Sequence, residues 1–271
     1  MSDEDLPPDG GSDRRTSAHE GPGNARGSRA RAADDDASHV PPRLAAAIQA
    51  DLQPVRRLRA PGRRALWLAP LAAATLVAAS WMFSLRGDAR VLGWMLTWGA
   101  SLGEMLLALA MITLALRNAI PGRALHARAT MLASGAVLGF MSVVTLRTWD
   151  VSPTTLGLAS PLIVGEICFV GTIVTAVPLL TGAAILAGRA FSVRPWSSGW
   201  LYGLGAGLGA DAGWRLFCHY SDPAHVFPTH AGAVVFVAVL GMGMSGLIVR
   251  LTPEATALKR RAASGLKRDS G

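Results

Sequence analysis

The chain lacks most of what an enzyme displays. No nucleophile–base pair, nucleotide-binding loop or HExxH-like motif occurs in its 271 residues, so the residue pattern speaks against catalysis. No cleavable secretory signal is visible, because the first apolar run opens only near Ala65. No internal repeat is seen, which weighs against a transporter built from inverted halves. Cysteine is nearly absent. The two that occur, Cys168 and Cys218, fall on two different apolar stretches.

What is present is apolar bulk. About half of the residues are hydrophobic (51%) and the mean hydropathy is +0.34, which places the chain among membrane proteins. Residues 1–40 carry nine acids and five arginines. Residues 41–271 carry 21 Lys or Arg against nine acids, a balance of +12. Those basic residues gather at the ends of apolar segments, as membrane topology requires, so direct nucleic-acid binding is not expected. Residues 1–40, rich in Asp, Gly, Ser, Arg and Pro, show no apolar periodicity and are expected to be disordered.

A hydrocarbon core of about 30 Å takes about 20 helical residues. Six stretches meet that length: 65–85, 91–116, 128–146, 161–188, 197–217 and 229–251. The expected fold is all-α, a polytopic six-transmembrane-helix bundle spanning 65–251. It is preceded by a cytoplasmic arm at 41–64 and followed by a basic tail at 252–271. Arginine clusters at 56–64, 117–128 and 189–194, and the basic tail, alternate with cation-poor loops. That alternation places both termini in the cytoplasm. Cys168 and Cys218 then both fall in the outer half of the bilayer, with Cys168 roughly 10 Å below the surface.

Three roles are open to the two cysteines: a disulfide, joint ligation of a thiophilic metal, or simple packing. His219, His225 and His230 lie close to Cys218 in sequence. Thiolate with imidazole makes a first shell for Zn²⁺ or Cd²⁺, although the spacing matches no closed zinc motif. No resident cofactor is expected beyond transient heavy-metal binding. Glu104 and Asp211 are the costly intramembrane charges. Asp211 has Arg215 four residues on along its helix as a partner. Glu104 has none in its own helix, which leaves an interhelical bond or an ion-path role.

The run Gly205, Gly209, Gly213 reads as a close-packing helix face, and Pro178 as a kink in the fourth span. In the arm, Leu44, Ile48 and Leu52 recur four apart on a short helix. Arg56, Arg57 and Arg59 follow them. Such a helix is marginal alone and calls for a partner groove or the anionic lipid surface.

The stretch Asp51 to Arg59 before Pro61, the Pro121-Gly122-Arg123 turn, the fourth-span cysteine and Phe217-Cys218-His219 together resemble NrsF-type negative regulators of sigma factor F. The resemblance covers roughly 44–250. It implies an integral-membrane anti-sigma factor of the bacterial inner membrane, with an N-terminal segment that holds an extracytoplasmic-function sigma factor. It further implies that Cys168 and Cys218 sense oxidative or heavy-metal stress. The competing expectation is a small transporter or ion-coupled permease using Glu104 and Asp211.

Overall fold

A computed structural model describes residues 59–82, 84–155, 161–190 and 194–251, together with residues 41, 43, 45, 46 and 49. The chain divides into two units, Met1–Arg57 and Leu58–Gly271. In the first, Arg43, Ala45, Ala46 and Gln49 are helical, and Ala45 N–H donates to the Pro41 carbonyl at 3.0 Å. The arm residues Leu44, Ile48, Leu52, Arg56 and Arg57 lie outside the described residues, as do 1–40 and 252–271.

The second unit is helical, with no strand among the described residues. Its elements are α1 (Pro61–Leu66), α2 (Ala69–Met82), α3 (Ala89–Asn118), α4 (Ala127–Val151), α5 (Pro161–Gly188), α6 (Pro195–Trp214) and α7 (Pro223–Leu251). Four of these are long and apolar enough to cross a membrane: α3, α4, α5 over Ile163–Gly188, and α7. The first expected span is interrupted. Pro70 has no N–H to donate to the Leu66 carbonyl, so the chain turns at Trp67 and Leu68 and α2 begins afresh. The resulting helix of 14 residues extends only about 21 Å. The α6 helix has the length, but glycine and Asp211 dilute its apolar character. The α4 helix is longer than the sequence led one to expect. The α5 helix runs on as one element through Pro178.

Apolar side chains face outward over much of the surface: Val77, Leu106, Met131, Leu132, Ile167 and Val174 are all more than half exposed. On a protein in water, a surface of this kind marks an interaction face. Around a bundle of such helices it suits lipid.

At the centre stands α6, in which every residue from Leu201 to Trp214 is buried. It packs against α7, α3, α5 and α2. Glycine makes this possible. A Cβ on Gly203 would sit 2.6 Å from Ala238 Cα on α7, and one on Gly205 would sit 2.7 Å from the Ala108 carbonyl oxygen on α3. Helices meet backbone to backbone on two sides of α6, the approach small residues permit in membranes. At one end of the bundle, Asn118 Nδ2 donates to Ser197 Oγ and Ser198 Oγ, while its Oδ1 accepts from Leu125 N–H. The loop residues Ser152 and Thr154 clasp Ser221 at the other end, with Ser221 N–H donating to the Thr154 carbonyl at 3.1 Å.

Candidate thiol–imidazole site

The site forms where α5 begins, α6 ends and α7 begins. Cys168 lies on α5 and is buried; Thr172 Oγ1 donates to its carbonyl one turn on. Cys218 was expected at the tip of the fifth span, shallower than Cys168. The structure corrects this: α6 stops at Trp214, and Cys218 N–H turns back to the Trp214 carbonyl at 2.9 Å. In the turn that follows, Cys218 Sγ comes to 4.0 Å from Cys168 Sγ. Both thiols are free. A disulfide of about 2.05 Å would need them to close by roughly 2 Å.

The histidines come from the first turns of α7. Asp222 Oδ1 caps the helix by accepting Ala224 N–H at 2.9 Å. Pro228 then cannot donate to the Ala224 carbonyl, and the helix widens into a π turn at Phe227–Ala231. That widening decides the site. In a regular α-helix, residues five apart point about 140° away from each other. A π turn, with its i→i+5 repeat, returns them to one face. His225 and His230 are thereby brought together with ring centroids 5.7 Å apart, both buried. His225 Nε2 is 3.7 Å from Cys218 Sγ. One ligand atom from each of Cys168, Cys218, His225 and His230 lies within 4.8 Å of all the others.

His219, grouped with these residues on sequence, is not part of the cluster. Its side chain is exposed beside Tyr220, and its carbonyl accepts from Thr154 Oγ1. Proximity along the chain misled here, because the turn after α6 points His219 the other way from Cys218.

Behind the histidines lies a buried ion network. His230 Nδ1 meets Asp211 Oδ1 at 2.6 Å. Asp211 Oδ2 accepts from Arg215 Nε at 3.2 Å, the helical pair expected from the sequence. Arg215 Nε also lies 2.5 Å from Glu104 Oε1 on α3. This is an ion pair whose angles fall short of a hydrogen bond. Glu104 and Asp211 are fully buried. The sequence placed Arg215 with Asp211 alone. That it serves Glu104 as well depends on the close approach of α3 and α6 through Gly205, which spacing along one helix does not reveal.

A water-sized cavity adjoins the cluster, lined by Arg86, Thr145, Thr148, Arg215, Cys218 and His230 among others. Its rim is fixed by Arg86, whose N–H donates to the Leu216 carbonyl at 2.9 Å and whose guanidinium grips Asp88 in a bidentate pair. The arm's Arg59 stacks over Trp67, 5.0 Å from the ring centroid.

Among the described residues the protein is all-helical, with four helices of membrane-crossing length and a buried pair of thiols beside two imidazoles, features compatible with a membrane protein. The chain belongs to the NrsF family, the negative regulators of sigma F, which it matches over residues 48–250. No curated protein and no solved structure matches it.

Proposed function

We propose that the chain is a multi-pass anti-sigma factor of the bacterial inner membrane, crossing six times with both termini in the cytoplasm. The alternation of basic and cation-poor loops supports that orientation. In this reading α2 and α6 complete the six crossings. The first is short, and the second is shielded from lipid by its neighbours. The arm at 41–64, with Leu44, Ile48, Leu52, Arg56, Arg57 and Arg59, holds an extracytoplasmic-function sigma factor. Cys168 and Cys218, on the outer side, respond to oxidant or heavy metal and loosen that hold. The protein acts by binding, not as an enzyme.

The approach of Cys168 Sγ to Cys218 Sγ, 4.0 Å in a buried setting, carries the trigger. Oxidation removes two electrons and two protons from the pair, passes them to a peroxide-class oxidant and joins the sulfurs. A soft cation instead displaces the two protons. Either event pulls the start of α5 against the end of α6. Since α6 touches most other helices, a change at its end reaches the whole bundle. A fall in bound sigma factor from ~99% to ~50% needs about 2.7 kcal/mol of difference between the two states, within what a disulfide or metal–thiolate bond supplies. The permease reading loses ground, because Glu104 and Asp211 are both engaged by Arg215 and sealed from solvent.

The direct test is co-purification of the sigma factor with the full-length chain in detergent. Binding is expected to vanish when residues 41–58 are deleted from a chain that still inserts in the membrane. Retention of the sigma factor by that deletion would remove the arm from the account.

A further inference from the structure

We propose that Cys168, Cys218, His225 and His230 form a four-ligand tetrahedral site for one divalent cation of the zinc–cadmium class, with Asp211 as the positioning residue that fixes His230. The proposal rests on the sensor reading for what binding accomplishes, and on the geometry of the cluster for the binding itself.

Ligand spacing comes first. Zinc bonds of about 2.3 Å to sulfur and 2.0 Å to nitrogen give tetrahedron edges of roughly 3.3–3.8 Å. The cluster offers 4.0 Å between the sulfurs, 3.7 Å between Cys218 Sγ and His225 Nε2, and at most 4.8 Å between any two ligand atoms. Contraction of a few tenths of an ångström along these two edges, and of no more than about 1.5 Å along any other, closes the shell.

The histidine provides an independent indication. His230 is 1% exposed, its Nδ1 is taken by Asp211, and its Nε2 has no hydrogen-bond partner. A buried imidazole nitrogen without a partner is costly. A carboxylate behind one nitrogen with the other nitrogen left free is the arrangement that orients a metal-ligating histidine and raises its basicity. Asp211 is itself held by Arg215, which Glu104 also engages, so the imidazole is braced from the middle of the bundle.

Charge identifies the cation. Binding displaces one proton from each thiol, and two thiolates then neutralise a divalent ion, so the filled shell of two sulfurs and two neutral imidazoles carries no net charge in its buried position. Sulfur and imidazole exclude magnesium and calcium, which take oxygen ligands. The π turn is what makes the set four. Without it His225 and His230 would face apart, and the site would reduce to two thiols.

The test uses the full chain in detergent micelles, titrated with Co²⁺ alone. Intense visible d–d absorption with sulfur-to-cobalt charge transfer is expected, saturating at one ion per chain and bleached by one equivalent of Zn²⁺. His225→Ala and His230→Ala should each weaken binding at least tenfold, and Asp211→Asn by roughly 10–100-fold with the tetrahedral spectrum kept. X-ray absorption of the zinc-loaded wild-type chain needs no variant: it should show two sulfurs near 2.3 Å and two nitrogens near 2.0 Å with imidazole outer-shell scattering. A zinc shell lacking imidazole, or unchanged affinity in both histidine variants, would overturn the site and leave the thiol sensor standing. A site filled as described in a protein whose sigma factor ignores the metal would overturn the sensor and leave the site.

Discussion

Asp211 and His230, on adjacent helices, meet at 2.6 Å. Through this contact the thiol–imidazole cluster at one end of the bundle is tied to the charges inside it. Arg215 continues the connection to Glu104 on α3, so three helices share one buried polar network. Such networks are demanding: every member needs its partner, and removal of one strands the rest.

Arg215 is therefore the member whose loss costs most. Arg215→Met leaves two carboxylates buried together, and the expected loss is about 3–5 kcal/mol. Chemical denaturation in mixed micelles would measure it. The compensated variant Glu104→Gln/Asp211→Asn/Arg215→Met, which removes the charges together, should recover much of that loss. Recovery of none would mean that the network contributes through shape and not charge.

The glycine face of α6 gives a second expectation. Gly203→Leu drives a side chain into the backbone of α7, and the protein should fail to assemble, seen as loss of a monodisperse peak in detergent. Gly243→Ala, where a Cβ meets nothing within 4 Å, should assemble normally and gain a few tenths of a kcal/mol from reduced chain freedom. Equal behaviour of the two variants would contradict the packing described.

The Arg86–Asp88 pair at the cavity rim predicts a pH effect. Partial burial raises the Asp88 carboxyl, but the Arg86 guanidinium outweighs it and holds the group below the ordinary carboxylate range. A lowered folded-state pKa means that the pair stabilises above the unfolded carboxylate pKa of about 4 and ceases to do so as pH falls through the folded value. Asp88→Asn should lower the melting temperature at pH 7, and the gap to wild type should narrow as pH falls below about 4. A gap independent of pH would show that the side chain acts by shape alone.

Much of the fold was legible because apolar length is a local property. The limits of α5 at 161 and 188 follow from composition, and α3 and α7 differ from expectation mainly at their ends. The break before α2 came from one proline, whose missing N–H matters only once the helix is placed. For the site, the sequence singles out Cys168, Cys218, His225 and His230 as possible ligands, Glu104 and Asp211 as intramembrane charges, and Arg215 as the partner of Asp211. Their assembly was not legible. It depends on α6 stopping four residues short of Cys218, on a π turn around Pro228 and on the contact of α3 with α6. The π turn has a local cause in Pro228, but which side chains it faces, like the contact of α3 with α6, is set by tertiary packing. His219 shows the converse, since it adjoins Cys218 in sequence and faces away in space.

The measurement that bears most directly on the account is the distribution of the sigma factor between membrane and cytosol in cells exposed to cadmium or a peroxide. With the wild-type chain, the sigma factor should leave the membrane within minutes and its target genes should rise. With Cys168→Ser/Cys218→Ser, it should stay bound throughout. Equal release in the two strains would contradict the assignment of Cys168 and Cys218 as the trigger.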